Sequence, residues 1–333
     1  MLEAPNQLTD APERSMDLLS DLLSSIRLSG SVFFRGDFGA PWALTSPDSG
    51  QLAEALLPAA RQMVLFHAVQ AGECWVGLED GPQRSLSAGD VILFPFGNAH
   101  AMGAGDTHRL DDISMLFPGP PPWTVPPRIA YGGDGPTTHI VCGFLHVDKA
   151  LFNPLLSSLP PLLVVRPDHS HSGWMMRSSI EFLSRELDNT SPGSRSVLGR
   201  LTELLFVEVL RQHMAHLGTS ELGWLAALKD DGVRRSLELI HAEPAEPWSV
   251  EELAKRAGMS RSGFAARFNE LLGESPGQYL TRWRIQLASQ RLRDTQDSIA
   301  SIAASVGYGS ESAFSRAFKR EAGRGPADFR KAT

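Results

Sequence analysis

Two stretches of this chain decide its fold: SVEELAKRAGMSRSGFAARF at residues 249–268 and SIASIAASVGYGSESAFSRAF at residues 298–318. They are a weak internal repeat. Leu253, Ala254 and Gly258 correspond to Ile302, Ala303 and Gly307 at an offset of 49, and Phe264 and Phe268 to Phe314 and Phe318 at an offset of 50. One residue has been gained in the turn. Each copy reads as a short helix, a glycine turn and a second helix. Ser249 and Ser298 are placed to cap the first helices, with Glu252 three residues after Ser249 at capping-box spacing. Gly258 and Gly307 fall where the chain leaves the first helix in a left-handed conformation that a β-carbon opposes. Ser260 and Ser310 then cap the second helices, whose Phe residues four apart face inward.

A single helix pair with a glycine turn is also common in plain helical bundles, so the second copy carries the argument. Between the copies runs SPGQYLTRWRIQLASQRLRD, with Pro276 at a helix start and Tyr279, Leu280, Trp283 and Leu287 as an apolar stripe. It is long enough to hold the two units at fixed separation. Its charged face carries Arg282, Arg284, Arg291 and Arg293, which read as a solvated face.

On these residues the stretch from about 233 to 330 resembles the DNA-binding domain of AraC/XylS-type transcriptional regulators: two helix-turn-helix units joined by a long helix. The resemblance implies that both second helices enter successive major grooves on one face of DNA, roughly 34 Å apart. Carried over by position, the base-facing candidates are Ser262, Ala265 and Ala266 in the first unit and Glu311, Ser312, Ser315 and Arg316 in the second. Arg261, Arg267, Lys319 and Arg320 are the phosphate candidates, because an exposed cation adds affinity regardless of sequence. Position 266, often a long basic residue in the family, is Ala266, which shifts the first helix toward shape readout or methyl contacts.

The net charge of −7 over 333 residues hides an uneven distribution. Residues 233–333 carry 16 Lys+Arg against 12 Asp+Glu, a balance of +4, and residues 1–232 carry 15 against 26, a balance of −11. The basic domain is the one with the helix-turn-helix repeat. The first residues lack a basic start followed by an apolar stretch, and no apolar run reaches the ~20 residues that span a bilayer. The expected location is cytoplasmic, with no membrane partner. Cys74 and Cys142 are the only cysteines, too few for a disulfide framework and without the spacing of a C-x-x-C site. They read as buried thiols, with redox sensing as the functional alternative.

From Val32 to about Ile140 short β-rich runs alternate with Gly, Pro, Asp and Asn, the pattern of an antiparallel sandwich or barrel. GWMMRSSIEFLSRELDN and VLGRLTELLFVEVLRQHMAHL then change to helical spacing across the break NTSPGS. The stretch HAVQAGECWVGLEDGPQRSLSAGDVILFPFGNAHAM resembles the two half-motifs of a cupin barrel, with Gly72 in the first and Gly89, Asp90, Pro95 and His100 in the second. That resemblance implies a small barrel holding an effector, with the following helices serving dimerisation. Its pocket candidates are His67, Cys74, Trp75, His100 and Cys142. No cofactor is required. The alternative is zinc or another divalent metal on His67 and His100, with Cys74 or Cys142 completing the set. The usual H-x-H is Leu65-Phe66-His67 here, and Glu73 and Cys74 follow Gly72, so a full ligand set is not evident.

The expected fold class is two-domain α+β: a flexible segment 1–15, a cupin-like β-barrel sensor at 16–150, a helical pair at 151–218, a linker at 219–232 and an all-α double helix-turn-helix domain at 233–333. The function that follows is an effector-responsive transcriptional regulator. Its partners are double-stranded DNA, a second copy of itself, an effector, and RNA polymerase if it activates. The competing reading, a cupin enzyme with a helical accessory domain, needs a metal triad and leaves the repeat unexplained.

Overall fold

The computed structural model describes residues 17–24, 28–56, 63–79, 81–106, 109–119, 125–147, 150–189, 191–218 and 220–331. The expected flexible segment 1–15 lies outside them. Two compact units emerge: residues 26–226, and residues 227–333 together with 1–25. Their boundary falls inside the expected linker, but that stretch is not open chain. It holds a short helix, and Trp224 and Ala227 are fully buried. Among the described residues no helix is long and apolar enough to cross a membrane.

The first unit is a two-sheet structure with a helical cover. Its strands are β1 (Leu28–Gly39), β2 (Trp42–Ser46), β3 (Met63–Ala71), β4 (Glu73–Leu78), β5 (Arg84–Ser87), β6 (Val91–Phe94), β7 (His100–Ala104), β8 (Asp111–Asp112), β9 (Arg128–Gly132), β10 (Thr137–Val147) and β11 (Leu163–Val165). The six-stranded sheet runs β11-β6-β3-β10-β1-β9 and the five-stranded sheet β5-β4-β7-β2-β8. The expected barrel is therefore not closed. Each sheet ends on short strands, three and five residues in one and four and two in the other, which leaves little unpaired edge to satisfy without closure.

Strand periodicity sorts the interior. Leu65 and Val69 of β3, Ile140, Cys142 and Phe144 of β10, Ile92 and Phe94 of β6, Cys74 and Val76 of β4 and Met102 of β7 point into one continuous core. The alternate residues of β3 and β10, such as Val64, Phe66 and Val141, are buried too, because helices cover the outer face of that sheet. These helices follow the strands in sequence. In chain order the helices of the molecule are α1 (Leu18–Ser24), α2 (Ser49–Leu56), α3 (Pro154–Ser157), α4 (His171–Leu187), α5 (Ser194–His216) and α6 (Trp224–Ala227), then α7 (Asp231–Ala242) and its successors. Long α4 and α5 pack on each other, α5 lies on β1 and α4 on β3. Burial on both faces explains the continuous apolar runs of the central strands.

The second unit is all helical: α7, α8 (Val250–Arg256), α9 (Arg261–Leu272), α10 (Pro276–Asp294), α11 (Ile299–Ser305), α12 (Glu311–Ala322) and α13 (Pro326–Lys331). Helix α1 belongs to this unit, where the sequence placed residues from 16 onward with the sensor domain. Leu18, Leu19 and Leu22 are buried and α1 packs on α7. His241 of α7 ties it down: Nδ1 meets Asp21 Oδ2 at 2.9 Å, Nε2 meets the Tyr279 hydroxyl at 2.9 Å, and the ring stacks on Trp283 at 4.1 Å.

Candidate functional site

The two repeats fold as two helix-turn-helix pairs, α8–α9 and α11–α12. Every expected cap is made. Ser249 accepts from Glu252 N, Ser260 from Gly263 N, Ser298 from Ser301 N and Ser310 from Ala313 N. Gly258 and Gly307 turn the chain at φ +71° and +84°. Phe264, Phe268, Phe314 and Phe318 are fully buried, each pair in ring contact at 5.7 and 5.5 Å. Burying each such ring contributes about 1.5–3 kcal/mol, so these four side chains fix the helix pairs against α10. The cap of α10 is a full capping box between Ser275 and Gln278, with Pro276 in the first turn.

With the Phe faces inward, the opposite faces of α9 and α12 are exposed. Arg261, Ser262 and Ala266 of α9, and Glu311, Ser312, Arg316, Lys319 and Arg320 of α12, stand in solvent, with Ala265 and Ser315 half-buried beside them. Arg261, Arg316 and Lys319 make no ion pair among the described residues. Arg320 pairs with its neighbour Glu321, at 3.0 Å.

Arg267, a phosphate candidate, is half-buried and paired within the domain. Its guanidinium bonds Asp230 Oδ2 and Glu270 Oε2, both at 2.8 Å, and Asp230 in turn caps α7 through Val233 N. The arginines of α10 are likewise ties, where a solvated face was expected. Arg284 donates to the carbonyls of Pro244 and Glu246 and lies over Tyr308, Arg282 pairs with Glu274, and Arg291 pairs with Asp297. Sequence alone could not show this, because the acceptors are backbone oxygens and distant carboxylates.

In the sheet unit, His67, His100, Cys74 and Cys142 do converge in the interior, while Trp75 does not join them. Cys74 and Val76 point inward, so Trp75, between them, lies on the outer face of its sheet, over Gly103. His67 and Cys142 are cross-strand partners on β3 and β10. His67 Nδ1 is 2.6 Å from Cys142 Sγ, and His67 Nε2 is 2.7 Å from His100 Nε2 across the gap between sheets. His100 Nδ1 is 2.9 Å from the Asn98 carbonyl. Burial, reinforced by His100, holds His67 well below the ordinary imidazole range. Burial depresses His100 to about 4, pushes the Cys74 thiol up to about 12 and raises Cys142 well above its usual value.

This arrangement does not fit the expected metal set. His67 spends its two nitrogens in opposite directions, one on Cys142 and one on His100, so the three side chains form a line and not a cage around one point. No group of three or more His, Cys, Asp or Glu among the described residues is arranged to hold a metal ion.

The family described as "Cupin" matches residues 17–215, and the one described as "Helix-turn-helix domain" matches residues 253–332. The transcriptional regulator AlkR of Acinetobacter baylyi is 32% identical over 325 residues, covering 95% of this chain and 99% of that protein. A putative AraC-like transcription regulator of Streptomyces lividans is 33% identical over 318 residues, covering 95% and 98%. The chain belongs to the AraC-type family of transcriptional regulators. Its helical unit is a DNA-binding domain, and its sheet unit is a cupin domain. Among solved structures, the DNA-binding domain of AdpA in complex with a target DNA is 34% identical over 29% of this regulator and 91% of that chain, with a TM-score of 0.28.

Proposed function

We propose that this regulator binds its operator as a homodimer and that a signal received by the cupin domain controls binding or activation. The observation that carries the reading is the pair of exposed helix faces on α9 and α12, each set by buried phenylalanines and together presenting Arg261, Arg316 and Lys319, which are without an ion pair among the described residues. Arg316 and Ser315 read bases, and Arg261 and Lys319 hold phosphates. Support for self-association comes from α4 and α5, which expose Trp174, Phe182, Val197 and Leu204. Val197 and Leu204 are one heptad apart on the same face of α5, and large exposed apolar groups on paired helices suit a second copy. The protein works in the cytoplasm, and as an activator it also touches RNA polymerase. It carries no catalytic role.

The test is titration of purified full-length protein on DNA flanking its own gene, with salt varied and nonspecific competitor present. Saturable binding to one fragment, weakening steeply with salt, supports the reading. Binding by the full chain that is indifferent to sequence overturns it. Light scattering of wild type and Leu204→Glu reads the dimer: a monomeric wild type removes self-association from the proposal.

A further inference from the structure

We infer that Cys142 is an oxidation site, a thiol activated by His67 toward small neutral peroxides, with Cys74 as its resolving thiol. With both imidazoles neutral, as their burial favours, the hydrogen-bond chain has one consistent set of protons. A backbone carbonyl only accepts, so His100 carries its proton on Nδ1 and leaves Nε2 bare. His67 Nε2 must therefore donate to His100, which leaves His67 Nδ1 as an acceptor facing Cys142. The Cys142 S–H donates to it. The thiol's proton thus has a base in contact, and the imidazolium that would form has His100 to receive its other N–H.

Cys74 provides the internal contrast. It is buried like Cys142, but no imidazole is shown in contact with it among the described residues, and burial followed by the Asp90 carboxylate pushes its thiol up. Both sulfurs lie in the same core, close enough that Cys74 weighs on the ionisation of Cys142. Cys74 belongs to the five-stranded sheet and Cys142 to the six-stranded one. Cys142 is 3% exposed, His67 8% and Cys74 7%, so only a small neutral oxidant suits the site.

The chemistry balances in two steps. Cys142 Sγ attacks the electrophilic oxygen of ROOH, its proton passing to His67 Nδ1 and then to the departing alkoxide, giving Cys142–SOH and ROH. Cys74 then attacks the sulfenic sulfur: the S–S bond forms, the S–O bond breaks, and the hydroxyl leaves with the Cys74 proton as water. Two thiols lose two electrons and the peroxide gains them. The product clamps the two sheets together beneath β10 and β1, on which α5 packs. That such a clamp acts on DNA binding rests on the function proposed above.

The experiment treats reduced full-length protein with hydrogen peroxide, quenches with acid, alkylates after denaturation and reads intact mass. Wild type is expected to lose both alkylatable thiols together, with the mass of a disulfide. Cys74→Ser is expected to yield a dimedone-reactive sulfenic acid at Cys142, and Cys142→Ser to leave Cys74 reacting about tenfold slower or more. In the Cys74→Ser background, His67→Gln is expected to slow Cys142 by about tenfold or more, the low end for loss of a general base. If His67→Gln does not fold, the rate of Cys142 in folded against guanidinium-unfolded Cys74→Ser protein decides. Equal rates for the two cysteines, a folded Cys142 slower than the unfolded one, or a stoichiometric zinc that shields Cys142 until chelated overturns the inference. A sulfenic acid persisting in wild type overturns the part of Cys74. These readouts concern thiols alone, so failure to bind DNA leaves them untouched.

Discussion

Arg267 of the first recognition helix is bound at 2.8 Å to Asp230, the residue whose side chain caps α7. A cation expected at the DNA backbone is thereby part of the frame that orients α9. Asp230→Ala removes a cap worth about 1 kcal/mol together with an ion-pair partner. Its urea midpoint is expected to fall, while Arg267→Ala leaves the salt dependence of DNA binding unchanged. An Arg267→Ala slope reduced by one counterion returns Arg267 to the phosphate contacts.

Arg316 and Lys319 are exposed and unpaired among the described residues, and they are expected to behave differently from each other. Arg316→Ala costs about 1–3 kcal/mol at the operator and relaxes discrimination there. Lys319→Ala weakens all sequences alike and lowers the salt slope by about one. Gel-shift titration against operator and scrambled duplexes separates the two.

The two turn glycines make a paired test. A β-carbon at Gly307 lies 2.4 Å from the Ala245 carbonyl oxygen, whereas at Gly258 nothing stands within 4 Å. Both have positive φ, so Gly258→Ala carries only backbone strain of about 1 kcal/mol. Gly307→Ala carries that strain plus displacement of the 245 backbone, and is expected to lower the melting temperature distinctly more. Equal losses by calorimetry refute the packing argument.

His100, depressed to about 4 by burial, is neutral in the folded protein where an unfolded imidazole protonates near 6.5. The unfolded state then binds more protons, so stability falls as pH drops from 6.5 toward 4 and is level above 6.5. Urea unfolding of wild type and His100→Gln across that window is expected to show a shallower decline for the variant. Parallel curves contradict the assignment.

Leu22 is fully buried in α1, on the DNA-binding unit. Leu22→Ala is expected to destabilise that unit by about 2–5 kcal/mol, read as an earlier melting transition of the helical unit by calorimetry.

Much of what depends on local order was legible in the residues themselves. Helix caps, left-handed glycines and phenylalanines four apart are spaced by the geometry of a single turn of chain, so the double helix-turn-helix and the exposed faces of α9 and α12 were legible from residues 249–318. The inward set of His67, Cys74, His100 and Cys142 was legible as residues, through strand alternation and the cupin-like half-motifs. What those groups do to one another depends on long-range packing. The line of bonds from Cys142 through His67 and His100 to Asn98 joins β10, β3 and β7, strands far apart in the chain. The recruitment of Arg267 and Arg284 as internal ties, the outward turn of Trp75, and the docking of α1 beside α7 have the same cause. Each depends on which long-range surface meets a side chain, and charge or apolar character alone does not specify that partner.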